Sequence, residues 1–119
     1  RRQHKERKHM TETQTKTTLE AILEEADGRD EEAVTLFWEN DHHYWEDESV
    51  EDFLEIFDDC YQGDYGSVED YAEEYVASCG YLSGVPDEVA RYFDYESFGR
   101  DMVLGGDIWE ERGHIFLSH

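Results

Sequence analysis

The sequence predicts an α+β fold, mainly helical, with a small antiparallel sheet near the C-terminus. Three features predict it. Apolar residues recur at three- and four-residue spacing in successive segments, several of them opened by Ser, Thr or Asp. The closing stretch DIWEERGHIFL reads as two short strands around a turn at Glu111 to Gly113. Finally, 17 of the 119 residues are Phe, Tyr or Trp. High charge with low hydropathy alone points to disorder, but rings that each bury ~150–250 Å² can supply a core.

The elements follow in order. Residues 1–16 are polar and mixed in charge and are expected to form a disordered tail, with Met10 a natural start and the residues before it an upstream remnant. Leu19, Ile22, Leu23 and Ala26 follow helical spacing after Thr17-Thr18, and Gly28 is the stop. Asp30 caps a second helix through Ala33, Val34, Phe37 and Trp38. Asn40 to Glu48 (NDHHYWEDE) reads as a loop or a short edge strand.

Ser49 with Asp52 resembles a capping box. It opens a third helix whose apolar face is Val50, Phe53, Leu54, Phe57 and Tyr61, ended by a turn-rich QGDYG. Ser67 and Asp70 repeat the pattern for a fourth helix, buried along Val68, Tyr71, Ala72, Tyr75, Val76 and Cys79 and stopped by Gly80. Pro86, the only proline, suits the first turn of a short helix, PDEVARYF. Asp94 caps YESFGRDMVL. Three regions result: the tail 1–16, a helical middle domain 17–61, and an α+β C-terminal domain 62–119 that can pack with it as one unit.

The formal charge is −22, and it is unevenly distributed. Residues 11–119 hold 31 acidic and five basic side chains, a net −26. A field of that sign repels free nucleic acid and anionic membranes. No apolar run approaches the ~20 residues that span a bilayer. Two cysteines and no secretory signal point to a reducing cytoplasm without a disulfide framework.

Specific chemistry is sparse. Asp58, Gly63 and Glu69 occupy positions 1, 6 and 12 of an EF-hand-like loop, but Cys60 and Gln62 stand where oxygen-rich Asp or Asn is wanted. Calcium binding by a regulatory module is therefore an alternative only, and no metal or cofactor is assigned. His42 and His43 lie near acidic residues, yet adjacent histidines in an extended segment point to opposite faces and do not share an ion. Cys60 and Cys79 read as buried and inert, and His114 and His119 have no assigned role. No nucleophile elbow or phosphate-binding glycine loop occurs, and no carboxylate pair stands out, so no catalytic residue is expected.

The charge itself remains. A small domain needs a net charge of only ~2–8 for solubility, and like charges at helical spacing are mildly destabilising. Duplex DNA carries one charge per ~1.7 Å of axis, so 26 charges match roughly 44 Å, or about 13 base pairs. A compact domain of this length is only roughly 35 Å across. The expected use is attraction of a strongly basic DNA-binding partner by an imitated phosphate lattice. Its carboxylates are Glu51, Asp52, Glu55, Asp58 and Asp59, then Asp64, Glu69, Asp70, Glu73 and Glu74, extended by Asp87, Glu88, Asp94 and Glu96.

The segments FDDCYQGDYGSVEDYAEEY, YFDYESFGRDM and the closing GHIF resemble the C-terminal part of ArdA-type antirestriction proteins. The strongest points are Gly63, Asp70, Tyr71, Ala72 and Glu74, then Phe93 to Glu96, Gly99, Arg100 and Asp101. The resemblance is best over residues 53–116. The YNxG-like N-terminal α/β domain usual in the family has no counterpart here, so the resemblance implies a shortened relative. It also implies a non-enzymatic DNA mimic, carried by a phage or mobile element. Such proteins occupy the DNA-binding groove of Type I restriction–modification enzymes, usually as homodimers. The alternatives are an anti-CRISPR inhibitor, or an adaptor for another basic DNA-binding protein. Arg100 is assigned a local ion pair with Asp94 or Asp101.

Overall fold

A computed structural model describes residues 16–118. The chain divides into two compact units, Arg1–Asp58 and Asp59–His119. The tail expected over residues 1–16 lies, except for Lys16, outside the described residues, as does His119.

The first unit contains α1 (Leu19–Glu24), α2 (Glu31–Asn40), α3 (His42–Trp45) and nearly all of α4 (Val50–Cys60). The caps read from Asp30 and Ser49 form: Asp30 Oδ1 accepts from the Ala33 amide at 3.1 Å, and Ser49 Oγ from the Asp52 amide at 3.0 Å. Thr18 Oγ1 adds a third, accepting from the Ala21 amide at 3.2 Å. The core is aromatic. Phe37 lies 5.2 Å from Trp45 and 5.5 Å from both Phe53 and Phe57, and Trp45 meets Phe53 edge-on at 4.9 Å. Such tilted and T-shaped contacts add to the burial itself, by about 0.5–1.5 kcal/mol per pair.

That core explains a correction. Residues 40–48 are not a loop or strand; they contain the single-turn helix α3. Trp45 is fully buried and its Nε1–H donates to the Phe37 carbonyl at 3.2 Å. One helical turn directs Trp45 inward while leaving His42, His43 and Tyr44 exposed.

One ion pair links distant positions of this unit. Arg29 donates from Nε and Nη2 to the two carboxylate oxygens of Asp58, each at 2.8 Å. The guanidinium holds the Asp58 carboxyl below its usual range, and Asp58 in turn raises Arg29.

The second unit comprises β1 (Tyr61–Asp64), α5 (Val68–Cys79), α6 (Asp87–Ala90), α7 (Tyr95–Leu104), β2 (Ile108–Glu111) and β3 (His114–Leu117). The C-terminal hairpin forms where expected, around Arg112 and Gly113 at φ +54° and +87°, the pair of positive values that a tight two-residue hairpin turn requires. A side chain at Gly113 would also press on Asp64 Oδ1 and Gly66 Cα, both at 3.0 Å.

The sheet has three strands rather than two, in the order β1-β3-β2, all antiparallel. Tyr61 therefore leaves the third-helix stripe, and the QGDYG turn begins inside β1. The register shifts between Tyr61 and Gly63, a bulge that lets a glycine-containing segment pair with β3. Phe116 is the ladder partner of both Tyr61 and Trp109, with ring centroids 5.2 and 4.2 Å away. His114, given no role from sequence, is buried with its Nδ1 2.8 Å from the Tyr61 hydroxyl.

Ser67 caps α5 through the Asp70 amide at 3.1 Å, and Asp94 caps α7 through the Ser97 amide at 3.0 Å. Gly80 ends α5 in the left-handed region. Pro86 stands at the N-cap of α6, which stops after four residues, short of Tyr92 and Phe93. Tyr71, Ile108 and Ile115 form a buried cluster, with Val68, Tyr75 and Met102 against it. Cys79 is exposed rather than buried, because the buried face of α5 ends at Val76. Cys60 is buried, and burial followed by the nearby Asp59 raises its thiol pKa. Among the described residues, no helix is long and apolar enough to cross a membrane.

Helices α5 and α7 approach closely because residue 99 is glycine. A Cβ there would lie 2.6 Å from Val68 Cγ1 and 3.1 Å from the Val68 carbonyl oxygen. Gly99→Ala is expected to destabilise the protein by about 1–3 kcal/mol, the usual cost of overpacking, read by urea unfolding; an unchanged midpoint contradicts the tight approach. The Arg29–Asp58 pair is half-exposed on the Asp58 side and so contributes below about 1 kcal/mol. Its contribution is present above the ordinary Asp pKa of ~3.9 and is lost as pH falls through the lower folded value. The stability difference between the parent and Arg29→Ala should therefore shrink towards zero in acid unfolding series.

Candidate functional site: the acidic helix faces

The helices sort their residues by water affinity, and the carboxylates take the solvent side. Among the described residues there are 30 acidic side chains and five basic ones, and none of the acids is buried. Fully hydrated carboxylates avoid the desolvation cost of burial, so the surface of each unit is the lowest-energy place for them.

Helix α4 shows the arrangement most clearly. Phe53, Leu54, Phe57 and Cys60 are buried, whereas Glu51, Glu55, Asp58 and Asp59 are exposed and Asp52 is half-buried. Glu51, Glu55 and Asp59 form an i, i+4, i+8 row with a rise of about 6 Å per step. Five acids along an 11-residue helix amount to one charge per about 3.3 Å of axis. One strand of duplex DNA carries one per ~3.4 Å. Arg29 pairs with Asp58 at 2.8 Å, and the remaining four give one charge per about 4 Å.

Helix α5 carries two parallel i, i+4 rows, Glu69 with Glu73 and Asp70 with Glu74, all exposed. Glu69 and Asp70 also lie in its first turn, where negative charge is favoured by the helix dipole. Asp87 and Glu88 occupy the first turn of α6, and Glu96 that of α7.

Two other carboxylates are engaged within the protein. Asp64, at the end of β1, accepts from the Gly66 amide at 3.2 Å. Asp94 accepts from both the amide and the hydroxyl of Ser97, at 3.0 and 2.7 Å. These two hydrogen bonds, the amide first, lower the Asp94 pKa. Arg100 Nη2 donates to Ser97 Oγ at 3.1 Å, so it joins the Asp94 cap through Ser97.

Glu20, Glu24, Glu31, Glu32 and Glu39 are also exposed on α1 and α2, and the rule used for α4 and α5, acids opposite an apolar stripe, applies to them equally. The EF-hand-like alternative does not have the geometry of a loop. Asp58 lies within α4 and is held by Arg29, residues 61–64 form a strand paired to β3, and Glu69 lies within α5.

His42 and His43, expected in an extended segment and facing apart, sit instead on α3 with ring centroids 4.1 Å from each other. Among the described residues, they and Glu46 make the group able to present three ligand atoms to a metal, all within 4.8 Å of one another.

No curated protein matches this chain. The family model described as antirestriction protein (ArdA) matches residues 4–116. That span reaches well beyond residues 53–116, where the resemblance in sequence is best. It takes in α1 to α4 of the first unit as well as the capped helices and hairpin of the second. Matched over nearly its whole length, the chain belongs to the ArdA antirestriction protein family.

Proposed function

We propose that this protein inhibits a Type I restriction–modification enzyme, in the cytoplasm of a bacterial host, by occupying its DNA-binding groove in place of DNA. The supporting observation is the solvent side of α4, whose carboxylates have nearly the axial charge density of a DNA strand. The rows on α5 extend the same chemistry. Lys and Arg side chains that bind phosphates accept carboxylates by charge-assisted hydrogen bonds. The aromatic core holds these charges in place before binding, so little ordering is needed on association.

Occupancy is sufficient for inhibition, and the proposal assigns no catalytic group. A homodimer, the assembly implied by the family resemblance, belongs to the same proposal and is read by light scattering in solution. Mobile-element origin belongs to it too.

The experiment is competition. The protein should displace fluorescent duplex DNA from a purified Type I methyltransferase, and its affinity should fall by about tenfold or more as salt rises from ~50 to ~200 mM. Combined Glu51→Gln, Glu55→Gln and Asp59→Asn should weaken displacement by about tenfold or more while leaving the fold intact, because all three side chains are exposed. Binding that is insensitive to salt and to the triple variant, or that leaves DNA in place, overturns the reading.

A further inference from the structure

We propose that His42, His43 and Glu46 form a binding site for a divalent transition ion of the zinc class, with water completing the coordination shell. The proposal is independent of the DNA-mimic reading and rests on a different part of the surface chemistry.

The donor set fits that ion class. Two imidazole nitrogens and one carboxylate oxygen suit Zn²⁺, whereas Ca²⁺ and Mg²⁺ prefer shells made of oxygen. The three side chains project from one short stretch, with Glu46 three residues after His43 and four after His42, the spacings that bring helical side chains together. All three ligand atoms already lie within 4.8 Å of one another. A tetrahedral ion with bonds of ~2.0–2.2 Å needs ligand atoms about 3.4 Å apart. The pair His43 Nδ1 and Glu46 Oε1, at 3.8 Å, is close to that value. Both histidines are exposed, so small side-chain rotations can close the remaining edges.

The backbone beneath the site is fixed, which limits the entropy lost on binding. Trp45 is fully buried between the ligands in sequence. The Thr17 amide donates to the Glu46 carbonyl at 3.0 Å, and the Thr17 hydroxyl donates to the Glu48 carbonyl. Local charge also favours a cation. Lys16 Nζ sits 3.7 Å from Glu46 Oε1 and 3.8 Å from Asp47 Oδ1, exposed to solvent, and a divalent ion can replace it at Glu46. A His43–Glu46 ion pair alone uses only two of the three convergent groups. The consequence is a clasp at the C-terminal end of α3 that a borderline metal tightens and a hard one does not.

The test uses the full chain and Zn²⁺ alone, in a chelator-free buffer at about pH 7.5, because metal-ligating imidazole must be neutral. Calorimetry should show one saturable site, with Ca²⁺ weaker by about tenfold or more. His42→Ala, His43→Ala and Glu46→Gln should each weaken Zn²⁺ by about tenfold or more. Cys79→Ser and the paired His4→Ala, His9→Ala variant should bind as the parent does. In the unaltered protein, substoichiometric Co²⁺ should broaden the ring signals of His42 and His43 first in NMR spectra, a readout that needs no variant. No saturable binding at millimolar Zn²⁺ overturns the proposal. So does binding unchanged by the three site variants, binding lost in either control variant, equal binding of Ca²⁺, or broadening that begins at other residues.

Discussion

Hydration of the carboxylates constrains everything else in this protein. An ionised carboxylate cannot enter a small core without a partner cation, and the described residues offer only five cations for 30 acids. Every helix that carries acids must therefore keep one side wet. The apolar material left for the interior is limited, and aromatic rings use it efficiently because each buries a large area per residue. Phe37, Trp45, Phe53 and Phe57 in the first unit, and Tyr61, Trp109 and Phe116 in the second, supply that material. Repulsion between the surface charges opposes compaction, and the ring clusters offset it.

This division gives the charges an order that an acidic tail lacks. On a disordered tail the carboxylates must be ordered when a partner binds, at an entropic cost. On α4 and α5 they stand opposite buried stripes, so their spacing is set by helix geometry before any encounter. The caps contribute directly. Ser49, Ser67 and Asp94 hold the first turns where Asp52, Asp70 and Glu96 begin their acidic faces. The Arg29–Asp58 pair acts in the opposite sense, cancelling one charge of α4 to tie it to the segment after α1.

Legibility followed the range of the interaction. The helices α2, α4, α5 and α7 were readable because periodicity and cap residue, and for α5 and α7 a glycine stop as well, all lie within a dozen residues. The hairpin β2–β3 was readable for the same reason. Strand β1 was not: its ladder partner lies about fifty residues later, and its own sequence contains turn residues. The α3 turn was missed because it depends on Trp45 finding Phe37 and Phe53. Cys79 was placed inside because the stripe was extended one turn past the neighbours that bury it.

By itself, the sequence determined the helical faces, their caps, the sign of the surface and family membership, since these depend on residue type and local spacing. Tertiary structure decided which segments pair and which side chains converge. It recruited β1 to the sheet, buried His114 beside Tyr61, engaged Asp58 and Asp94 internally, and brought His42, His43 and Glu46 together. The physical reason is that local periodicity assigns a residue to a face, whereas contact between residues requires the packing of elements distant in the chain. The large negative charge of the sequence became a set of positioned charges only through that packing.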